Sequence, residues 1–308
     1  MPSGRDILWV VGFPAVLTAL AMLATRPWRG RRRAAGDDAV RRRGAGWPSA
    51  IAIAGGFAVA FAGLFLTPNG VFTPPRFPPA AGEQWVLLLT IPIVLVAIVQ
   101  TFIRARWFGM AASVALLLVT PYLVRRTQQP YVEPRQFWTW VIGAGVVMTA
   151  WWLVMEELAR RVVGGSLPLI VGIWTGVSAL TIIDAGIQSL GMATGSVAVA
   201  AFVIALAAWW SRGAPLPRGG MLALGVIVPG MLLCGYFFAE LKPRDLGLLA
   251  VAPLAAWAGQ LPGLGESDSR KRTLVRVIAV LAVLGFTAVM SIRGLKRTAD
   301  DQMKSYVY

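Results

Sequence analysis

The sequence predicts an all-α protein built into a membrane, a polytopic bundle of about ten transmembrane helices with no sizeable soluble domain. Three observations carry that prediction. The 308 residues are 57% hydrophobic and only 14% charged, too few charges to cover a water-facing surface. The apolar residues gather in runs of about 20, the length that crosses the hydrocarbon core of a bilayer. The charges are strongly basic, and they fall between those runs. A single transmembrane domain, residues 1–308, accounts for the whole length.

Taken in order, the apolar runs predict helices at 7–24, 48–66, 84–103, 107–124, 137–155, 166–188, 193–210, 219–240, 246–262 and 273–292. An arginine-rich loop, 26–47, separates the first two. A proline-rich loop, 67–83, follows the second, because TPNGVFTPPRFPP removes backbone donors and forces extended backbone. A polar tail, 293–308, follows the last run. Tryptophans mark the run ends at Trp28, Trp47, Trp85, Trp107, Trp138, Trp140, Trp209 and Trp210, as expected of rings that prefer the head-group region. Trp174 and Trp257 fall inside runs and are expected to pack between helices.

The first run has a rival reading as a signal peptide, with Ala19-Leu20-Ala21 as its small-residue pattern. Against it stand the near-neutral start, Arg5 beside Asp6, and the dense arginine loop that follows and resists export. The same loop sets an orientation. With the amino terminus outside, 18 of the 29 basic residues lie inside and 11 outside, the latter including Arg293, Lys296, Arg297 and Lys304 of the carboxyl tail. A nine-span alternative, with 246–262 re-entrant or in the interface, brings that tail inside. This pattern is expected of a multi-pass protein of a bacterial inner membrane, its basic loops meeting anionic lipid head groups.

A net charge of +15 is read here as a membrane feature and not as a nucleic-acid footprint. The chain has no histidine, which removes histidine-based metal sites and acid–base mechanisms. Its one cysteine, Cys234, sits in the run MLLCGYFF, where a packed inert thiol is expected. There is no Walker A loop, no complete dinucleotide fingerprint around Gly143-Ala144-Gly145 and no Cys-x-x-Cys pair. No metal and no cofactor is expected.

Two polar constellations interrupt this background. Asp184 lies in IWTGVSALTIIDAGIQSLG, flanked by apolar residues on both sides. A continuous helix there sets Thr181, Asp184 and Gln188 on one face, with Ser178 toward its edge. The functional reading is a substrate or ion site with Asp184 as its carboxylate. The structural readings are a buried aspartate that locks packing, or a helix that ends early and leaves Asp184 at the interface. The second constellation is Glu156, Glu157, Arg160 and Arg161, each glutamate four residues before an arginine. Solvated helical ion pairs are the ordinary reading of that order, and a carboxylate site is the sharper one.

The outer segments 125–136 and 240–245 are rich in charge and are read as solvated loops, with a charged vestibule as the alternative. Gly172/Gly176 and Gly191/Gly195 are small-residue pairs that permit close helix approach. Pro92, Pro229 and Pro253 are expected to kink their helices.

Three functions follow as expectations. The first is a transporter or permease-like protein for a small solute or ion, with Asp184 at its centre. The second is a non-catalytic membrane subunit or scaffold that works with other membrane subunits. The third is a membrane enzyme acting on lipid-linked substrates through Glu156 and Glu157.

Overall fold

A computed structural model describes residues 4–24, 47–65, 77–102, 106–162, 165–211, 218–261 and 269–305. Among them every regular element is a helix. The arginine loop 26–47 lies outside the described residues except for Trp47, and the proline-rich loop 67–83 is described only from Phe77.

We number the helices in chain order. α1 covers 4–24 and α2 covers 47–65, each a continuous helix with one wide π turn, at Leu8–Gly12 and Ile51–Gly55. α3 is Gly82–Phe102, α4 Arg106–Arg125, α5 Pro134–Arg161, α6 Ser166–Asp184, α7 Gln188–Ser211 and α8 Arg218–Phe238. A 3-10 turn, Arg126–Tyr131, joins α4 to α5. α9 is Pro243–Val251, followed by a 3-10 stretch, Ala252–Gln260, and α10 is Ser269–Ser305.

Seven of the described helices, α3 to α8 and α10, are long and apolar enough to cross a membrane. Two shorter apolar helices, Leu8–Leu23 and Pro48–Leu64, lie in α1 and α2. The predicted helix 246–262 is not a single α-helix. Pro253 has no N–H for the carbonyl of Leu249 and its ring crowds that turn, so the α-helix stops at Val251 and the chain winds on as 3-10. The seven long helices, with two shorter ones, are what the structure offers in place of the expected ten.

Two further boundaries differ. α5 runs from Pro134, which suits a first turn, through Arg161, so it includes the Glu156–Arg161 cluster that was expected beyond its end. α6 stops at Asp184, four residues short of the predicted Gln188. Gly186, at φ +101, adopts the left-handed conformation that closes helices, and the chain turns back into α7. The predicted polar tail continues α10 as far as Ser305.

The chain divides into two compact units, Met1–Leu241 and Lys242–Tyr308. In the first unit α8 is the central helix and packs against α2 through α7. Its apolar stretch is 78% buried, against 33% for those of α4 and α5, and that contrast identifies the hub. α6 and α7 form the most extensive helix pair, and α1 lies against α2 and α7. Exposed Ile91, Leu95, Leu118, Val119, Ile142 and Val146 give α3 to α5 an apolar outer surface of the kind lipid requires. Trp174 is buried against Trp151 at 5.2 Å between ring centroids, as its mid-run position predicts. In the second unit α10 packs on α9 and on the 3-10 stretch, with Arg276 close to Gly259.

Candidate functional site

The charged side chains described in the first unit gather at the ends of its helices. One end carries the close of α4, the start of α5, the α6–α7 turn and the close of α8. Backbone and side-chain bonds tie these pieces together. Glu240 N–H donates to Ala185 O at 3.1 Å, and Gln128 Nε2 donates to Phe237 O at 3.0 Å. Gly82, at the start of α3, is equally close: an added Cβ would lie 2.7 Å from both Val124 O and a Phe238 ring carbon.

Arg125 is the unexpected member of this end. Leu117, Thr120 and Val124 set the buried face of α4 at helical spacing, and Arg125 is the next residue round. Its side chain is buried, 5% exposed, where the sequence suggested a solvated loop. The guanidinium carbon lies 4.7 Å from the Phe237 ring centre, 5.8 Å from Phe137 and 6.0 Å from Trp140. Phe137 and Trp140 are three residues apart on α5, so they share a face, and Phe237 comes from the end of α8. Tyr236 packs on Trp140 at 5.3 Å, and Tyr122 stacks on Trp138 at 5.9 Å, extending the aromatic wall.

An arginine stays charged in such surroundings. Burying an unpaired charge costs several kcal/mol, and each cation–π contact returns about 0.5–2 kcal/mol. The rings therefore offset part of the cost. They supply no acceptor, and Arg125 Nε and Nη1 are buried with no hydrogen-bond partner. Arg126, next in sequence, is exposed and lies over the Trp85 ring at 5.6 Å.

A cavity of about 270 Å³ lies at the same end, lined among others by Gly82, Glu83, Thr127, Ile187, Cys234 and Phe238. Thr127 Oγ1 is buried there without a partner. Cys234 is buried, as its apolar run predicted.

The predicted Thr181–Asp184–Gln188 face does not form, because α6 ends between its second and third members. Asp184 is the last residue of α6 and is exposed. Gln188 is the first residue of α7 and is exposed too. Thr181 is half-buried and donates to Val177 O of its own helix at 2.9 Å. Ser178 is buried and its hydroxyl has no partner. Ile187, between Asp184 and Gln188, is the residue of this turn that reaches the cavity wall.

The Glu156–Arg161 cluster sits at the opposite end of α5. Arg160 Nη2 lies 2.7 Å from Glu156 Oε1, Arg160 Nη1 3.5 Å from Glu157 Oε2, and Arg161 Nε 2.9 Å from Glu157 Oε1. Glu156 is buried while both arginines are about half exposed, so one carboxylate faces the bundle and its cation faces out. Among the described residues, no group of three or more His, Cys, Asp or Glu side chains is arranged to hold a metal ion.

No family model matches this chain, and neither the curated proteins nor the solved structures yield a match.

Proposed function

We propose that this multi-pass membrane protein is a non-catalytic subunit or scaffold that works through its surfaces. The observation that carries this reading is the make-up of the central helix. From Gly219 to Phe238, α8 contains apolar residues and glycine throughout, with Tyr236 alone adding a hydroxyl near its end. Three of the buried hydroxyls around it turn back on their own helices: Thr120 to Leu116 O, Thr175 to Val171 O and Thr194 to Leu190 O. Such bonds satisfy the donors locally and leave helix interfaces to apolar packing. Purification in a mild detergent tests the reading. A stoichiometric complex with a second membrane protein is the expected result, and a lone monodisperse chain at native expression refutes it.

Transport of a small solute is the second reading, favoured by the cavity beside the α6–α7 turn. Asp184 is exposed next to that turn, so its role would be capture at the mouth and not coupling within the bundle. Loss of solute uptake in Asp184→Asn proteoliposomes supports transport, and wild-type uptake removes this role for Asp184. For the third reading, lipid chemistry at Glu156 and Glu157, both carboxylates are already engaged by Arg160 and Arg161.

We further infer nine crossings, with 243–260 re-entrant or in the head-group region, in a bacterial inner membrane. The break at Pro253 supports this count. Charge does not decide it: the tail arginines and lysines gain the side of the arginine loop while Arg270, Lys271, Arg272 and Arg276 lose it. Reporters in loop 26–47 and after Tyr308 should read the same side. Opposite sides mean an even count.

A further inference from the structure

We propose that Arg125 and its aromatic cage form a binding site for the phosphate of an anionic lipid head group. The site is independent of the subunit reading and stands or fails separately. Three observations assign it. The guanidinium is buried with Nε and Nη1 unmet, and no ion pair or hydrogen bond among the described residues includes it. A cation held this way lacks an oxyanion, and phosphate oxygens make short, charge-assisted bonds to guanidinium N–H groups.

The cage also leaves a way in. Phe137 is 1% exposed, whereas Trp140 is 37% exposed, so an oxyanion approaches past the indole. Arg126 follows Arg125 in sequence and adds a second, exposed cation.

The surroundings choose a lipid over a free ion. Tyr122, Trp138, Trp140 and Tyr236 form an aromatic cluster of the kind that sits at head-group level. Leu118 and Val119 are exposed on the same helix, seven and six residues before Arg125 respectively, or about 9–11 Å along the axis. A lipid with its phosphate at Arg125 therefore has an apolar helix surface for its acyl chains. The source competing for the same chemistry is inorganic phosphate.

The test uses the full chain in nanodiscs of neutral phosphatidylcholine, with or without phosphatidylglycerol. Native mass spectrometry counts retained lipid, and thermal unfolding reports stabilisation. Wild type should retain phosphatidylglycerol in preference to phosphatidylcholine, and Arg125→Gln should lower that retention about tenfold, the scale of a charge-assisted pair. Arg135→Gln, at an exposed position, should leave it unchanged. If Arg125→Gln does not fold, the wild-type arms suffice: its melting temperature should rise with phosphatidylglycerol and stay flat with inorganic phosphate in neutral discs. Equal retention of the two lipids by wild type, undiminished retention by folded Arg125→Gln, or equal stabilisation by inorganic phosphate each overturns the proposal.

Discussion

Gly191 lets α7 press against the backbone of α6, and adding one methyl group there should separate the helices. A Cβ on Gly191 would overlap Ile183 Cγ1 and would lie 2.5 Å from Ala179 O and 3.0 Å from Ile183 N. The last two are backbone atoms of α6, so no rotamer change relieves them. Reaching the 3.4 Å of ordinary contact from Ala179 O requires a shift of about 0.9 Å, enough to forfeit a quarter to half of the dispersion well for each atom pair that opens. Overpacking of this kind costs about 1–3 kcal/mol. Alanine's better helix propensity returns up to about 1 kcal/mol. The expected net loss is about 1–2 kcal/mol, or a melting temperature lower by roughly 2–8 °C. Gly176→Ala supplies the control on the same helix pair. Its nearest new neighbour is Ala198 Cβ at 3.8 Å, an ordinary contact, so this variant should equal or exceed wild type. The chain contains its own reporter, because Cys234 is the single cysteine and is buried. Reaction of that thiol with a fluorogenic maleimide during heating follows unfolding without an added label. A Gly191→Ala protein that melts with or above Gly176→Ala refutes the reasoning about backbone contact.

The remaining predictions concern the charged groups and the thiol. Glu156→Gln should cost about 1 kcal/mol more than Glu157→Gln in the same melt, because the Glu156 carboxylate is the buried partner at 2.7 Å and Glu157 is screened by water; equal costs would count against a packing role for Glu156. Asp184→Asn should change stability by less than about 0.5 kcal/mol, as exposed substitutions do, and a larger loss means the carboxylate has a buried partner. At room temperature in native membranes, Cys234 should react with a maleimide at least about a hundredfold more slowly than after denaturation, following the opening equilibrium and not solvent access. Fast labelling of the folded protein refutes a closed cavity wall at that position.

Much of the fold was legible because helix length and apolar run length are set by the same bilayer. Five of the six runs that became α3 to α8 correspond to one helix each, and the sixth, 166–188, is broken after Asp184. The failures have local causes. Through IIDAGIQSLG the hydropathy hardly changes, yet Gly186 reverses the chain; a single glycine conformation outweighs the apolar background, and Asp184, four residues inside the expected helix 166–188, becomes the exposed last residue of α6, as the reading of an early helix end had it. At 246–262 the run is apolar enough, but Pro253 sets the backbone geometry and composition does not. The small-residue pairs were right as a class and blind in detail. Gly191 and Gly172 are tight, with Phe202 ring carbons 3.1 Å from an added Cβ at Gly172, while Gly195 and Gly176 have their nearest such contacts at 3.8 Å.

Arg125 was invisible for a different reason. In LVRRTQQP two adjacent arginines read as the flank of a helix, and nothing local separates the buried one from the exposed one. Their difference comes from α4 ending one residue round from its packed face, and from three rings that belong to other helices at 137, 140 and 237. Sequence spacing does identify Phe137 and Trp140 as one face of α5, but it gives no reason for that face to meet a cation. Asp184 drew attention because a carboxylate inside an apolar run is costly, and the fold removes the cost by exposing it. Arg125 drew none, and the fold imposes the cost by burying it without an acceptor. The unpaid desolvation of one guanidinium is therefore a stronger pointer to a ligand than the anomaly that hydropathy made conspicuous, and the lipid-retention measurement on Arg125→Gln decides between a bound oxyanion and a cage of rings alone.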